Sequence, residues 1–493
     1  MIDPATLSSL PASVGRPAYD RSKVTAGIAH LSVGNFHRAH QAVYMDKVLA
    51  LPGHEGWGIL GIGLMDVEGE RAKAQALQGQ KGLYSLVAYP PEGTPEVAVV
   101  GSIVEYLHAP ADPEAVLARL ADPAIRIVTL TVTEGGYNID EKGRFKLDDP
   151  AVARDLAGGL PATSFGVMTE ALRRRRAAGT RPFTVLSCDN LRHNGGVVKN
   201  ALLSYARAKD ADLAGWIEAE VAFPSCMVDR ITPAVGPADK ARLNAETGLD
   251  DAAPIFAEDF IQWVVEDRFC NGRPELERVG VEFTDAVDAY EQVKLRMLNA
   301  SHSMMTFPGI LLGHRIVHLA MQDPLVDTLL EQFLSRDAGP LLDAPPSMSV
   351  GQYKDQLLSR YRNPAIGDQL LRIASDGASK LPQFVQDTAR DVVKAGGDHR
   401  RIAFLLACFT EYLRGVDDKG EHFPVVEPMV GEADRALAAD PDLAKGLGLG
   451  AFKGWGVAEH PGFVADYAAY RASIKDRGAA ATLKDLLAAV AAG

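Results

Sequence analysis

The first half of the chain alternates short apolar, β-branched runs with longer amphipathic segments. This alternation is typical of a mostly parallel sheet covered by helices. The apolar runs predict strands at residues 24–33, 57–64, 125–133, 183–188 and 221–228. Helices that are amphipathic or opened by a capping residue are predicted at 36–51, 113–120, 164–178 and 197–209. The order of these elements predicts a dinucleotide-binding sheet.

The pattern changes after about residue 283, where strand-like runs nearly vanish and helical segments follow one another. Helices are predicted at 287–306, 352–361, 401–414, 463–475 and 483–491. Prolines at positions 308, 345, 346, 364 and 424 are expected to separate such segments. A chain of 493 residues also favours two domains over one. We therefore predict an α/β fold with a Rossmann-like dinucleotide-binding domain at 1–283 and a mostly α-helical substrate-binding domain at 284–493.

The formal net charge is −13, with 51 basic and 64 acidic residues. Nucleic acids and anionic membranes are recognised mainly through clustered Lys and Arg, so this balance argues against either partner. The sequence opens without a basic segment followed by an apolar run, and no apolar run is long enough to span a bilayer. A cytoplasmic enzyme with a small-molecule substrate is expected.

Cysteine and histidine spacing gives no sign of a metal centre. The four cysteines, at positions 188, 226, 270 and 408, show no C-x-x-C spacing, which disfavours both a disulfide framework and a cysteine zinc site. His314 and His318 lie four residues apart, yet no glutamate follows His314 and the flanking apolar residues favour packing in a core. We expect no metal.

Residues 28–40 read as an apolar strand, a tight turn and the start of a helix. Backbone N–H groups hold a pyrophosphate at such a turn in dinucleotide-binding folds, which makes Gly34, Asn35 and Phe36 candidates for cofactor binding. Only Gly34 matches the G-x-G-x-x-G pattern, because Ser32 and His37 occupy the other two glycine positions. Taken alone, the segment also fits a generic strand, turn and helix.

The strand predicted at 57–64 is followed by an acidic segment that contains Asp66, Glu68 and Glu70. An acidic side chain at this point accepts hydrogen bonds from the adenosine ribose and repels the 2′-phosphate of NADP. NAD(H) is therefore the predicted cofactor, with Asp66 or Glu68 on the ribose. The alternative is an acidic first turn that only stabilises the helix dipole.

A helical segment at 291–302 carries a lysine, an amide and an imidazole on an otherwise apolar stripe. At 100° per residue, Asn299 would lie about 140° and His302 about 80° around an α-helix from Lys294, so all three can border one surface. Such groups are costly to desolvate unless they have partners or a role. Structural alternatives are a lysine that reaches solvent, a cap-like asparagine and a hydrogen-bonded core histidine.

These three residues form the pattern K-x4-N-x2-H, and through it the chain resembles the polyol-specific long-chain dehydrogenases and reductases. Further segments match that family in the same order along the chain, namely 34–40 (GNFHRAH), 131–137 (TVTEGGY), 187–191 (SCDNL), 228–233 (VDRITP) and 375–380 (SDGASK). One departure is Ser32, where the family usually has glycine. A Cβ at this position is expected to crowd the turn and to affect cofactor affinity.

The resemblance implies a metal-independent, NAD-dependent polyol dehydrogenase that transfers a hydride between nicotinamide and C2 of a linear hexitol or its ketose. By the same match Lys294 is the general base, a role that requires its pKa to fall below the usual value of about 10.4. Asn190 and Asn299 would donate hydrogen bonds to the developing alkoxide. His302 would orient the substrate oxygens.

Four more residues receive roles through this resemblance. Asp229 would position the substrate or the nicotinamide, and Arg372 and Lys380 would donate to substrate hydroxyls. Glu291 would relay the proton of Lys294 to solvent, although a glutamate three residues before a lysine is also an ordinary helix-stabilising contact. The family resemblance also implies a monomer.

Two alternative functions stay open at this point. Within the family, Arg372 and Lys380 could receive a carboxylate, as in a fructuronate or tagaturonate reductase, or the substrate could be arabinitol or sorbitol. Outside it, the chain could be a non-catalytic dinucleotide sensor, which the presence of Lys294, two amides and His302 disfavours.

Overall fold

The computed structural model describes residues 2–140 and 143–491. The chain forms two compact units, unit 1 up to Asp288 and unit 2 from Ala289 onward. The functional division at residues 283 and 284 stays a prediction. No helix among the described residues is long and apolar enough to cross a membrane.

Unit 1 holds the strands of the described chain. They are Val14–Gly15 (β1), Ala26–Leu31 (β2), Gly58–Gly63 (β3), Tyr84–Tyr89 (β4), Glu96–Val100 (β5), Ile103–His108 (β6), Ile127–Leu130 (β7), Thr184–Ser187 (β8), Cys226–Asp229 (β9), Ile255–Glu258 (β10), Gln262–Val265 (β11) and Glu282–Phe283 (β12). Two small mixed sheets, in the orders β1-β5-β4-β10 and β12-β11-β9, accompany a larger one.

The larger sheet has the strand order β6-β3-β2-β7-β8, and all neighbouring strands are parallel. The chain moves outward from β2 to one side through β3 and β6 and then crosses to β7 and β8. The strand order therefore reverses between β2 and β7, and ligands of such sheets bind at the carboxyl ends of the strands at this point. The dinucleotide-type sheet predicted from the sequence is confirmed.

Helices cover both faces of this sheet. Those of unit 1 are Asn35–Ala39 (α1), Gln41–Leu49 (α2), Glu68–Gly79 (α3), Pro113–Ala121 (α4), Pro150–Ala157 (α5), Ser164–Ala177 (α6), Asn194–Lys209 (α7), Ala211–Glu220 (α8) and Pro237–Thr247 (α9). Phe165 of α6 and Leu202 of α7 lie in the core on one face. Met45 of α2 and Leu77 of α3 lie in the core on the other.

The single helix predicted at 36–51 is wrong, because the chain breaks at His40, where φ is −120° and ψ is −90°. The ring of His40 is fixed on both sides at this break. Its Nε2 lies 2.7 Å from the carbonyl oxygen of Gln262, and its Nδ1 lies 2.9 Å from Nε2 of Gln41. The contact with Gln262 in the distant strand β11 explains why periodicity alone missed the break.

Unit 2 is helical, as the sequence predicts. After Val287–Val293 (α10), in which the two units meet in the sequence, its α-helices are Ala300–Leu311 (α11), Val317–Met321 (α12), Pro324–Gln332 (α13), Val350–Tyr361 (α14), Leu370–Ala374 (α15), Gly377–Phe384 (α16), Gln386–Lys394 (α17), Arg400–Tyr412 (α18), Glu432–Ala439 (α19), Pro461–Arg477 (α20) and Ala479–Ala491 (α21). Two π-helices span Lys294–Asn299 and Phe333–Ala338. α18 is buried along almost its whole length and packs against α11 and α20.

Pro308 does not separate two helices, so the break predicted there is wrong. It lies inside α11, whose residues are buried almost without exception. A proline in a helix removes one backbone hydrogen bond. Packing on all sides outweighs this loss, which is why a local breaker signal gave the wrong boundary.

Candidate active site

The strand β2 leads into a turn at the switch point of the large sheet. Ser32 in this turn has a φ of 71°, a left-handed conformation that favours glycine. Its N–H donates to the carbonyl of Ile62 at 2.8 Å, and its own carbonyl accepts from Oγ1 of Thr131 at 3.0 Å. Neighbours on both sides thus hold Ser32 in a conformation that costs a non-glycine residue about 1–3 kcal/mol.

The next part of the turn is open on its outer side. A Cβ added to Gly34 would meet no heavy atom within 4 Å, so a ligand group can approach the backbone closely here. Oδ1 of Asn35 accepts from Arg38 at 2.7 Å, and its Nδ2 donates to the carbonyl of Pro233 at 3.4 Å. The ring of Phe36 stacks on His40 with centroids 4.9 Å apart. The three predicted cofactor residues therefore form one braced turn with an open backbone.

Two stacked histidines support this turn, and the sequence analysis missed them. The rings of His30 and His37 lie 3.4 Å apart at their centroids. Nδ1 of His30 is 2.7 Å from Oγ1 of Thr129, and Nε2 is 3.0 Å from Oγ1 of Thr131. Burial lowers the pKa of His30 well below its usual value and that of His37 to about 3. Both rings are therefore neutral at pH 7 and can pack face to face.

The three carboxylates of the acidic segment after β3 differ in their exposure and in their ion-pair partners. Asp66 is exposed and pairs with Arg71, which lies one turn into α3. Glu68 begins α3 and is exposed, whereas Glu70 pairs with Lys73 at 2.7 Å. Asp66 is the carboxylate nearest the end of β3. Arg71 is a residue of this region that sequence reasoning missed.

Asn190 follows β8 and is half-buried next to a tightly held carboxylate. Oδ2 of Asp189 accepts from the N–H of Val132 at 3.0 Å and from the hydroxyl of Tyr137 at 2.7 Å. Oδ1 of Asp189 accepts from the N–H of Thr133 at 2.9 Å. Thr133 has φ 61° and ψ 170°, a region occupied almost only by glycine. Asp189 thus stabilises a strained backbone at the end of β7, directly beside Asn190.

Asp229 is the last residue of β9 and is buried, opposite Gln262 of β11. The side chain of Asn194 connects the start of β9 with the loop that carries Asn190. Nδ2 of Asn194 donates to the carbonyl of Cys226 at 2.7 Å and to that of Asp189 at 3.2 Å. Asn190 and Asp229, both predicted from the sequence, are therefore on connected backbone segments of unit 1.

In unit 2, the segment from Lys294 to Asn299 is a π-helix rather than α-helix. The N–H of Ala300 donates to the carbonyl of Leu295, five residues earlier. Lys294 and Asn299 are also five residues apart, so they lie about one turn from each other. The angle of about 140° expected for an α-helix is therefore wrong.

Burial distinguishes the polar groups of this helix. Lys294 is buried and Asn299 is half-buried. Oδ1 of Asn299 is a buried acceptor without a hydrogen-bond partner in the described part of the chain. Glu291 is a buried carboxylate three residues before Lys294. The helix thus carries a buried base candidate and an amide with unused acceptor capacity.

The imidazole of His302 is half-buried against an aromatic residue of α14. Its ring centroid lies 4.7 Å from that of Tyr361. The hydroxyl of Tyr361 donates to the carbonyl of Leu298 at 2.8 Å and lies 2.9 Å from Oγ of Ser301. Tyr361 therefore contacts the π-helix, the start of α11 and His302. No local signal identifies this residue, because it lies some sixty positions away in the sequence.

Arg372 and Lys380 lie on either side of the link between α15 and α16. The guanidinium of Arg372 donates to both oxygens of Asp368, at 2.8 and 2.6 Å, and its side chain is half exposed. Nζ of Lys380 donates to the carbonyls of Ile373 at 3.1 Å and Ser375 at 2.6 Å. α15 and α16 both pack against α11, and α16 also packs against the π-helix. Unit 2 thus brings together the predicted base helix and the two predicted substrate donors.

A parallel dinucleotide-type sheet, followed by a helical unit with a buried lysine, an amide and an imidazole on one helix, defines an oxidoreductase that acts on CH–OH groups. Residues 26–278 match the mannitol dehydrogenase Rossmann domain, and residues 286–475 match the mannitol dehydrogenase C-terminal domain. The chain therefore belongs to the mannitol dehydrogenase family.

Three known proteins are similar over nearly the whole chain. The polyol:NADP oxidoreductase of Gluconobacter oxydans is 50% identical over 92% of this chain and 94% of its own length. A D-sorbitol dehydrogenase structure in substrate-free form has a TM-score of 0.91 and 46% identity, and the match covers 98% of this chain and 100% of that one. The Pseudomonas fluorescens mannitol 2-dehydrogenase in ternary complex with NAD and D-mannitol has a TM-score of 0.90 and 41% identity, with 99% of each chain covered. The family, fold class and enzyme class predicted from the sequence are confirmed.

Proposed function

We propose that the protein is a mannitol 2-dehydrogenase that oxidises D-mannitol to D-fructose with NAD, without a metal, and with Lys294 as general base. The observation that carries this proposal is the π-helix with buried Lys294 at one end and Asn299 at the other. The likeness to the mannitol 2-dehydrogenase solved with NAD and D-mannitol supports the choice of substrate and cofactor.

Each predicted catalytic group has a chemical task in this reaction. Neutral Lys294 takes the proton of the C2 hydroxyl at Nζ, while bound NAD supplies the acceptor for the hydride that leaves C2. Asn299 and Asn190 donate amide N–H groups to the oxygen on which negative charge develops. The unused Oδ1 of Asn299 offers an acceptor to a neighbouring hydroxyl. His302, held by Tyr361, orients substrate oxygens, and Glu291 passes the proton from Lys294 to solvent.

The remaining predicted residues bind the polyol. A guanidinium has five N–H donors, and Asp368 uses two of those on Arg372, so the half-exposed side chain retains donors for hydroxyl groups. Lys380 and Asp229 complete this set. The acidic net charge and the family resemblance lead us to propose a monomeric, cytoplasmic enzyme without nucleic-acid or membrane partners.

The residues of unit 1 fit a dinucleotide. The open space at Gly34 admits a pyrophosphate to the backbone, and Asn35 and Phe36 brace the turn. Asp66 at the end of β3 accepts from the adenosine ribose, with exposed Glu68 as the alternative.

A second candidate is a polyol dehydrogenase that uses NADP and prefers sorbitol. Arg71 pairs with Asp66, and an arginine at this place accommodates a 2′-phosphate in dinucleotide-binding folds. The polyol:NADP oxidoreductase and the D-sorbitol dehydrogenase are both more similar to this chain than the mannitol 2-dehydrogenase structure. The keto-uronate reductases remain the alternative for a carboxylate-bearing substrate.

Steady-state kinetics separate these candidates. We would assay mannitol, sorbitol, arabinitol, fructose, fructuronate and tagaturonate, each with NAD(H) and NADP(H), and use Lys294→Ala as the inactive control. The proposal predicts the highest kcat/KM for mannitol and fructose with NAD(H). A higher value for sorbitol with NADP favours the second candidate. Cofactor binding without turnover of any substrate would identify a dinucleotide sensor and overturn the proposal.

A further inference from the structure

The amino end of α16 is held by a buried carboxylate from a distant part of the chain. Oε1 of Glu427 accepts from the N–H of Gly377, and Oε2 accepts from the N–H of Ala378, both at 2.9 Å. Glu427 is only 6% exposed. The carboxylate therefore binds the first two residues of α16 with both of its oxygens.

The surroundings of Gly377 are shaped for this contact. A Cβ added there would lie 2.7 Å from Cζ of Phe307, 2.9 Å from Oε1 of Glu427 and 3.1 Å from Cε2 of Phe409. Any other residue would have to push the carboxylate or an aromatic ring aside. Glycine thus permits the close approach of Glu427 to the backbone.

The contact fixes the segment that carries both predicted substrate donors. Asp376, directly before α16, has a left-handed φ of 61°, and its N–H donates to the carbonyl of Val426 at 2.9 Å. Lys380 lies one turn into α16, and its Nζ donates back to the carbonyls of Ile373 and Ser375 at the end of the helix that bears Arg372. Val426 and Glu427 therefore hold the link from one side, while Lys380 holds it from within.

The charges around Glu427 oppose one another. The pKa of Glu427 is raised to about 7, mainly by burial and also by the carboxylate of Asp376, although the two backbone N–H groups and Lys380 lower it. From α18 the carboxylate faces Tyr412, whose pKa is raised mainly by burial and also by Glu427. The other side chains that lie close to Gly377 are those of Phe307 and Phe409, and both are apolar. A carboxylate binds both N–H groups strongly, whereas the neutral acid has only one good acceptor oxygen.

We propose that Glu427 is a positioning residue for polyol binding, which in its carboxylate form fixes the amino end of α16 and thereby the places of Lys380 and Arg372. This inference rests on the proposed role of these two cations in substrate binding. Glu427 itself does not touch the substrate in this scheme. It acts on the affinity for the polyol and leaves the proton and hydride transfers to other residues.

The test compares Glu427→Gln with the wild type. Glutamine keeps the shape and one acceptor but turns an NH₂ group toward the second backbone N–H, so it resembles the neutral acid. We expect the KM for mannitol and fructose to rise about tenfold at about pH 8, with kcat and the Kd for NADH little changed. The wild-type KM should fall as pH rises through about 7, whereas the Glu427→Gln KM should lack this change, so that the two values converge at about pH 6.

Two further variants make the result specific. Glu427→Asp keeps the charge on a shorter side chain and should retain the pH dependence of KM, although with a weaker affinity than the wild type. Glu421 is an exposed carboxylate in the same segment between α18 and α19 that carries Glu427. Glu421→Gln should therefore behave as the wild type. A Glu427→Gln enzyme with the wild-type KM at every pH would overturn the inference. So would a loss of kcat, NADH binding and thermal stability together, which would mark a merely structural role.

The experiment also separates this inference from the proposed function. If Arg372→Ala and Lys380→Ala leave every polyol KM unchanged, their proposed substrate role is wrong and the inference fails with it. If both variants raise KM while Glu427→Gln does not, only the inference fails.

Discussion

Lys294 and Asn299 begin and end one π-helix, and its i to i+5 hydrogen bonding places them about one turn apart. On an α-helix the same two residues would point about 140° apart. The wide turn therefore brings the proposed base and the proposed amide donor nearer to one face of the helix than an α-helical turn would. π-helical segments are rare and frequently occur at functional sites.

The first prediction concerns Lys294. Lys294→Ala should lower turnover by at least about 10²-fold, the lower end for a positioned general base, while the Kd for NADH stays nearly unchanged. Because a small amine can enter the vacated space, methylamine should restore part of the rate in proportion to its free-base concentration. Near-normal turnover of Lys294→Ala on every active polyol would show that Lys294 is structural.

Asn299→Ala serves as the control for this rescue. It should cost roughly 10²-fold or more in turnover, because the developing alkoxide loses a donor. Methylamine should not restore this rate, since the base is still present. Rescue of both variants to the same extent would mean that the amine acts elsewhere.

The second prediction concerns Tyr361, which supports the π-helix from α14. Tyr361→Phe keeps the ring against His302 but removes the hydroxyl that donates to the carbonyl of Leu298. Oγ of Ser301 also donates to this carbonyl at 3.2 Å, so the variant removes one of two hydrogen bonds, which contributes about 0.5–1.5 kcal/mol to the free energy of unfolding. We expect a lower melting temperature, and a lower kcat with little change in the polyol KM. A variant that loses stability at unchanged kcat would limit Tyr361 to a structural role.

Much of the fold follows from local patterns, whereas the supports of the site do not. The strands β2, β3, β7 and β8 are buried apolar runs, and such runs identify themselves in the sequence. Tyr361 and Glu427 act through partners some fifty to sixty positions away, Leu298 and Gly377. Periodicity contains no information about such pairs.

The difference between local patterns and distant contacts also explains two wrong helix predictions, the α-helical turn from Lys294 to Asn299 and the unbroken helix at 36–51. The motif K-x4-N-x2-H predicts the site residues through family resemblance, but it does not predict whether the turn from Lys294 to Asn299 has α-helical or π-helical hydrogen bonding. The period of apolar residues indicates a helix but contains no signal for the rare π-helical register. The break at His40 likewise depends on a contact with Gln262, which lies more than two hundred residues further along the chain.

The third prediction concerns the cofactor. The wild type should prefer NAD over NADP, since exposed Asp66, in its proposed place at the adenosine ribose, would repel a 2′-phosphate. Asp66→Ala should narrow this preference by about tenfold through a lower KM for NADP, and Glu68→Gln should have the same direction of effect if Glu68 contributes. Arg71→Ala should raise the KM for NADP more than that for NAD. A wild type with the higher kcat/KM for NADP would overturn the choice of NAD.

The fourth prediction concerns metal independence. In the proposed mechanism Lys294 takes the role that a metal-bound oxygen has in zinc dehydrogenases, so turnover should survive exhaustive dialysis against a chelator. The measurement is kcat/KM with mannitol and NAD before and after this treatment, with an alcohol dehydrogenase that contains catalytic zinc as a positive control. Lost activity that returns on addition of zinc would contradict the lysine mechanism.

The last prediction concerns Ser32, the residue that stands where the family usually has glycine. Its φ of 71° costs a serine about 1–3 kcal/mol, while glycine loses roughly 0.5–1 kcal/mol more backbone entropy on folding. Ser32→Gly should therefore raise the melting temperature slightly, and it should tighten NADH binding because the turn no longer carries a Cβ. Ser32→Ala retains the Cβ and should resemble the wild type in both measurements.

Lys81→Gly provides a matched control, since Lys81 has a φ of 53° in the turn that follows α3. It should stabilise the protein and leave the Kd for NADH unchanged. Weaker NADH binding by both Ser32→Gly and Ser32→Ala would show instead that the serine hydroxyl binds the cofactor, and that this chain uses the position differently from its family.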